Sequence, residues 1–118
     1  MFVIEDEESL RNAVCKMLRK KNFSVLEAED GTSGVEVFRA RHADIGVVLL
    51  DLTMPGLCGR EVLSELKRIR PDVKIIVATA YSQDAVATSL EGERGWAFIR
   101  KPYQLADLIQ LLHKGLGS

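Results

Sequence analysis

The chain has 118 residues, 47% of them hydrophobic and 28% charged, which is enough to bury a core and is the balance of an ordinary water-soluble domain. A formal net charge of −1 gives no electrostatic support for binding nucleic acid or an anionic membrane surface. The two cysteines, Cys15 and Cys58, are far apart and offer neither a disulfide framework nor zinc-ligand spacing. We expect one cytoplasmic domain over residues 1–118 with no membrane-spanning segment.

Five short apolar runs alternate with stretches of helical periodicity. The runs occupy residues 2–4, 23–28, 45–50, 74–80 and 96–99. Because only four residues precede the first acid, we expect the first strand to be trimmed at its N-terminus. Three intervening segments carry apolar residues at spacings of three and four, which predicts helices with one buried face. These residues are Leu10, Val14, Met17 and Leu18, then Val62, Leu63, Leu66 and Ile69, and finally Leu105, Leu108, Ile109 and Leu112.

Two further segments have weaker helical patterns. Gly34 lies inside the segment 32–41, at a cost of about 1 kcal/mol relative to alanine. The segment 82–94 has small apolar residues and little to bury, so its helix should be the least anchored. Strands and helices alternate, and the central strands are apolar throughout, which indicates a parallel sheet covered on both faces. We therefore predict a five-stranded α/β sandwich.

Polar residues follow four of the apolar runs. Glu5 and Asp6 come after the first run, Asp51 after the third, Thr79 falls at the end of the fourth, and Lys101 follows the last. In an open parallel sheet the functional crevice lies outside the carboxyl ends of the strands. We therefore expect three acids, one hydroxyl and one lysine to meet at a single edge.

Three crowded carboxylates repel one another unless a cation joins them, and Mg²⁺ is the natural cation for such oxygen ligands. An aspartate can also act as a nucleophile and form an aspartyl phosphate. A lysine and a hydroxyl would then stabilise the phosphoryl oxygens. In this interpretation Asp51 ends a rigid strand so that its carboxylate can receive a phosphoryl group.

Four motifs resemble those of receiver domains of two-component response regulators, a CheY-like family. They are "IEDEES", "LLDLTMPG", "IIVATAY" and "FIRKPY", and the resemblance covers essentially the whole chain, with all five strands in order. The resemblance implies a flavodoxin-like three-layer α/β/α sandwich with strand order 2-1-3-4-5 and five helices. It also implies a signalling phosphoacceptor that assists its own phosphorylation and dephosphorylation, rather than a metabolic enzyme.

Carried over by position, the resemblance assigns Asp51 as the residue phosphorylated from a histidine kinase. It implies Mg²⁺ ligands at Glu5, Asp6, Asp51 and the main-chain carbonyl of Thr53. It places the phosphoryl-binding groups at Thr79 and Lys101, with a cis peptide bond between Lys101 and Pro102. Thr79 and Phe98 would form the switch, in which the hydroxyl moves toward the phosphoryl group and the ring fills the space behind it.

The resemblance also defines partners and an output surface. The output face would comprise the fourth helix, the fifth strand and the fifth helix. The expected partner is a histidine kinase or phosphotransfer protein, and the C-terminal motif is most similar to receiver domains of hybrid sensor histidine kinases, so a kinase or effector domain is expected in the parent chain. A phosphorylation-dependent homodimer is a further arrangement that the resemblance allows. The sequence identifies neither the kinase nor its signal.

Three alternative classes of protein share this type of fold. A phosphatase on a similar sheet needs a second acid two residues beyond the nucleophile, where this chain has Thr53. A flavodoxin needs a phosphate-binding Ser/Thr/Gly loop after its first strand, where this chain has acids. The strongest rival is a pseudo-receiver, an interaction module with the same fold that is not phosphorylated.

Overall fold

The protein is described from a computed structural model, which covers residues 1–51, 59–80, 86, 90, 92 and 96–116. The strands are β1 (Phe2–Ile4), β2 (Leu26–Ala28), β3 (Val47–Asp51), β4 (Lys74–Thr79) and β5 (Trp96–Arg100). The described α-helices are α1 (Glu8–Lys20), α2 (Gly31–Arg41), α3 (Gly59–Ile69) and α4 (Leu105–Leu116). A 3-10 turn at His42–Asp44 joins α2 to β3.

The five strands form one parallel sheet in the order β2-β1-β3-β4-β5. This confirms the predicted fold and strand order. Some strand limits differ from the apolar runs: β2 begins at Leu26 rather than at residue 23, and β3 extends one residue past its run to include Asp51. Phe23 lies in the turn that follows α1, where its main-chain N–H donates to the Leu18 carbonyl at 3.1 Å.

Alternate residues of the central strands bury themselves in two separate cores, one on each face of the sheet. Phe2 and Ile4 of β1 pack on the face covered by α2 and α3. Val3 packs on the other face, which is covered by α1 and α4. The three central strands β1, β3 and β4 are buried on both sides almost throughout, as expected for a parallel sheet in which helices cover both faces.

Gly34 has a packing role that explains its place inside α2. A methyl group added at its Cα would lie 2.8 Å from Cδ1 of Ile4, which is itself fully buried. The absence of a side chain therefore lets α2 approach β1 closely. The weak helical pattern of this segment is the consequence of a close contact between helix and sheet, not of a missing helix.

Two helix expectations need correction. Met17 was predicted on the buried face of α1, but it is 42% exposed, and the buried residues are Val14, Cys15 and Leu18. Met17 therefore lies at the edge of the buried face of α1, and the smaller Cys15 packs in the core instead. Most of the predicted helix over 82–94 lies outside the described residues, yet Val86 and Leu90 are 2% and 1% exposed, so these two side chains are more buried than the sequence suggested.

Among the described residues, no helix has the length and apolar character required to cross a membrane.

Candidate functional site

The candidate site lies at the carboxyl edge of the sheet, where β1, β3, β4 and β5 end side by side. Ile4 of β1 is in register with Leu50, so Glu5 follows β1 at the level where Asp51 ends β3. Asp51 is in register with Ala78, and Thr79 ends β4 one residue later. Lys101 directly follows β5. The strand register therefore brings the predicted polar residues to one edge.

The three acids form a tight cluster. One carboxylate oxygen from each of Glu5, Asp6 and Asp51 lies within 4.8 Å of the others. Glu5 and Asp51 are 4% and 1% exposed, whereas Asp6 is open to solvent. Such a group of oxygen donors matches the ligands that Mg²⁺ prefers.

Lys101 lies between the two buried acids. Its Nζ donates to Oδ2 of Asp51 at 2.5 Å and lies 2.8 Å from Oε1 of Glu5. Its main-chain N–H donates to the carbonyl of Thr79 at 2.8 Å, and the peptide bond to Pro102 is cis, as the resemblance implied. The Lys101 ammonium group thus lies among the acids as their counter-charge.

Burial and crowding alter the acid–base chemistry of the cluster. Desolvation, reinforced by the neighbouring Asp51, raises the pKa of Glu5 to about 8. Burial on its own would lower the pKa of Lys101, but its bonds to Asp51 and Glu5 outweigh burial and raise it. Tyr103 lies close by, and burial together with the charge of Glu5 raises its pKa to about 12.

The remaining predicted site residues are placed as follows. Thr79 is fully buried at the end of β4. Phe98 is partly buried in β5 and packs against the core beneath α2 and α3. Thr53 lies outside the described residues, so the structure says nothing of its carbonyl.

One residue of the site region was missed by the sequence analysis. Arg11 of α1 donates from Nη1 to the main-chain carbonyl of Glu5 at 3.0 Å. No sequence pattern indicates this contact, because its acceptor is a backbone atom and its donor resembles any other charged residue on a surface helix.

Comparison with known proteins defines the class. The model of the response regulator receiver domain family matches residues 1–113, and the chain belongs to this family. The resemblance found in its motifs is therefore confirmed, and the chain is a CheY-like receiver domain of two-component systems.

The curated relatives differ greatly in length. The chain is 37% identical over 111 residues to the sensory transduction protein RegX3 of Mycolicibacterium smegmatis, covering 92% of this chain and 46% of RegX3. It is 30% identical over 108 residues to the sensor kinase CckA of Brucella abortus, covering 92% of this chain but 11% of CckA. It is also 29% identical over 118 residues to the chemotaxis protein CheY of Bacillus subtilis, covering 99% of this chain and 97% of CheY.

Solved structures show the same architecture. A response regulator receiver domain protein from Clostridium thermocellum superposes with a TM-score of 0.89 at 29% identity, covering 98% of this chain and 91% of that one. The receiver domain of the hybrid histidine kinase CckA superposes with a TM-score of 0.82 at 23% identity, covering 98% and 96% of the two chains. The second likeness supports the fold alone.

Proposed function

We propose that Asp51 accepts a phosphoryl group from a phosphohistidine of a histidine kinase or phosphotransfer protein. The observation that carries this proposal is the surroundings of the Asp51 carboxylate. It ends a central strand, accepts a hydrogen bond from Lys101 at 2.5 Å, and lies within 4.8 Å of two further acids. A fixed carboxylate beside a lysine and a candidate cation site is the arrangement that phosphoryl transfer to an acid requires.

The proposed step is an in-line displacement at phosphorus. An Oδ atom of Asp51 forms the new O–P bond while the N–P bond of the phosphohistidine breaks. The bonding electron pair goes to the imidazole nitrogen, which then takes up a proton. Lys101 stabilises the negative charge of the phosphoryl oxygens, and the Thr79 hydroxyl donates a hydrogen bond to one of them.

The donor set fits a magnesium ion. Asp6 and Asp51 would hold it through carboxylates, Glu5 directly or through water, and Thr53 through its main-chain carbonyl. A bound Mg²⁺ ion would neutralise charge on the phosphoryl oxygens. Burial, and then the neighbouring Asp51, raise the pKa of Glu5, so a cation bound between these acids would favour the ionised form of Glu5.

The proposed switch uses Thr79 and Phe98. The phosphoryl group adds a charge of about −2, and its oxygens attract the Thr79 hydroxyl. The Phe98 ring would then occupy the space vacated beside β4, because Phe98 lies in the neighbouring strand in register with Val77. Movement of the ring would alter the proposed output face, which comprises β5, α4 and the expected helix over 82–94, most of which lies outside the described residues.

The partners follow from the same proposal. A hybrid kinase or another effector-bearing chain is the expected parent, since the chain spans only 11% of the sensor kinase CckA and 46% of RegX3. Phosphorylation-dependent pairing of two copies through the output face is a further proposed interaction. A histidine kinase as donor would place the reaction in the cytoplasm.

The experiment is intact-mass spectrometry after incubation with phosphoramidate, whose P–N bond imitates phosphohistidine, in the presence of Mg²⁺. We expect one phosphoryl adduct on the wild-type protein. The adduct should be absent in Asp51→Asn and in wild-type protein with EDTA, but present in Asp72→Asn, a matched change of a carboxylate whose side chain is 77% exposed. Folded wild-type protein that never gains an adduct would contradict the proposal and favour the pseudo-receiver.

A further inference from the structure

We propose that Arg11 is a positioning residue, which holds the loop 5–7 in the geometry that a divalent cation requires at Glu5 and Asp6. This inference rests on the proposed function, because it concerns the same cation site. It assigns a task to a partly buried cation on α1 that neither the acid cluster nor the phosphoacceptor chemistry uses.

The Arg11 side chain joins three parts of the fold. Its side chain is 12% exposed, which is unusual for an arginine on a surface helix. Nη1 donates to the main-chain carbonyl of Glu5 at 3.0 Å, and Nε donates to Oε1 of Glu27 in β2 at 3.2 Å. The planar guanidinium thus binds α1 to β2 and to the loop at the same time, and its geometry is fixed by both contacts.

Hydrogen bonds fix both main-chain groups of Glu5. Its N–H donates to the carbonyl of Ala28 at 3.1 Å, and its carbonyl accepts from Arg11. The carbonyl belongs to the peptide plane that joins Glu5 to Asp6, so its orientation sets the direction in which the chain enters Asp6. Asp6 itself is exposed, and its carboxylate direction therefore depends on this backbone.

Charge and geometry predict opposite effects of removing Arg11. The guanidinium is a positive charge beside the loop that carries Glu5 and Asp6, so its removal should strengthen cation binding if charge alone mattered. If Arg11 instead fixes the loop, its removal should weaken cation binding, because the ligands must then be ordered at the moment of binding. The sign of the change therefore separates a positioning role from a purely electrostatic one.

Arg19 provides a matched control on the same helix. Its Nη2 donates to Oε2 of Glu27 at 3.3 Å and to the carbonyl of Val25 at 3.1 Å. Its side chain is 50% exposed. Arg19→Met therefore removes one guanidinium from Glu27 but leaves the contact between Arg11 and the Glu5 carbonyl.

The experiment is a titration with Mn²⁺, followed through the electron paramagnetic resonance signal of the free ion. Mn²⁺ takes octahedral oxygen ligands as Mg²⁺ does, and this readout needs no phosphorylation. We expect Arg11→Met to bind Mn²⁺ on the order of tenfold more weakly than wild type, by analogy with the loss of other groups that orient metal ligands. Arg11→Lys keeps the charge but cannot contact both the Glu5 carbonyl and Glu27, so its Mn²⁺ binding should also be weaker. Arg19→Met should bind Mn²⁺ as the wild type does.

Urea unfolding in EDTA establishes that each variant is folded under the titration conditions. If Arg11→Met is not folded, Glu27→Gln provides the test. This variant keeps Arg11 but weakens the hydrogen bond that holds its guanidinium, so we expect Mn²⁺ binding about two- to threefold weaker than in the wild type. If Arg11→Met binds Mn²⁺ as tightly as the wild type or more tightly, this inference is overturned but the proposed function is not. The same holds for Glu27→Gln where Arg11→Met does not fold. Absence of Mn²⁺ binding in the wild type would overturn the proposed cation site and this inference with it.

Discussion

Glu5 is a residue whose acid–base behaviour is changed strongly by its surroundings. Its carboxyl group is nearly inaccessible and faces Asp51, so burial and like charge together raise its pKa from 4.5 to about 8. In the unfolded chain this group ionises near its ordinary value. Between pH 4.5 and about 8 the folded, metal-free protein therefore holds a proton that the unfolded chain has lost.

In EDTA, the free energy of unfolding of the wild type should therefore fall as the pH rises from 4.5 to about 8. Glu5→Gln cannot ionise, so its free energy of unfolding should depend less on pH. Near pH 8 it should exceed that of the wild type by on the order of 1–2 kcal/mol. Urea unfolding curves at pH 5, 6, 7 and 8 measure both quantities. Glu29→Gln, a change at an exposed glutamate, should follow the wild-type curve; a Glu5→Gln curve parallel to the wild type would refute this explanation.

At the scale of elements, the contact between α2 and β1 determines how the site is supported. Gly34 lets α2 approach Ile4, and Ile4 immediately precedes Glu5. A side chain at this position would press on the buried end of β1. The strand that carries the acid pair is therefore held in place by a helix that could not lie so close with any larger residue.

Gly34→Ala should destabilise the protein, although alanine is the better helix former by about 1 kcal/mol. Overpacking against Ile4 costs about 1–3 kcal/mol, so we expect a net loss of roughly 1 kcal/mol in the free energy of unfolding. The control is Gly46→Ala, where an added Cβ would meet nothing within 4 Å, and which should be neutral or slightly stabilising. Equal stabilisation of both variants in urea would show that α2 does not need the glycine for packing.

Element patterns also show what sequence can predict. The apolar runs predicted all five strands, because residues buried on both faces of a sheet leave a continuous hydrophobic signal. Sequence reasoning placed Met17 on the buried face of α1, because the spacing of apolar residues alone does not show which edge of a helix's apolar face lies against the sheet. It also underestimated the segment 82–94, because burial of Val86 and Leu90 depends on the space between neighbouring elements and not on local composition.

At the scale of the whole molecule, the site is a product of topology. Residues separated by as many as 96 positions, Glu5 and Lys101, come into contact because parallel strands all end at one edge. The sequence could predict this convergence from the strand ends alone. It could not predict the Lys101 bridge or the Arg11 contact, since both depend on side-chain directions and on a backbone carbonyl.

The cation site should couple to the stability of the entire fold. A ligand that binds only the folded state stabilises it, by about 1.4 kcal/mol when its concentration is ten times its dissociation constant. We therefore expect Mg²⁺ to raise the urea midpoint of the wild type relative to NaCl of equal ionic strength. The effect should be largely lost in Asp6→Asn and retained in Asp72→Asn. An identical Mg²⁺ effect in all three proteins would indicate nonspecific salt stabilisation.

The most direct test of the central claim is to locate the phosphoryl group. Borohydride reduces an aspartyl phosphate to homoserine, which marks the modified position permanently for peptide sequencing by mass spectrometry. After treatment with phosphoramidate and Mg²⁺, we predict homoserine at position 51 and its absence when Mg²⁺ is omitted. Homoserine at another aspartate, or none in protein that carries a phosphoryl adduct, would contradict the assignment of Asp51 as the phosphoacceptor.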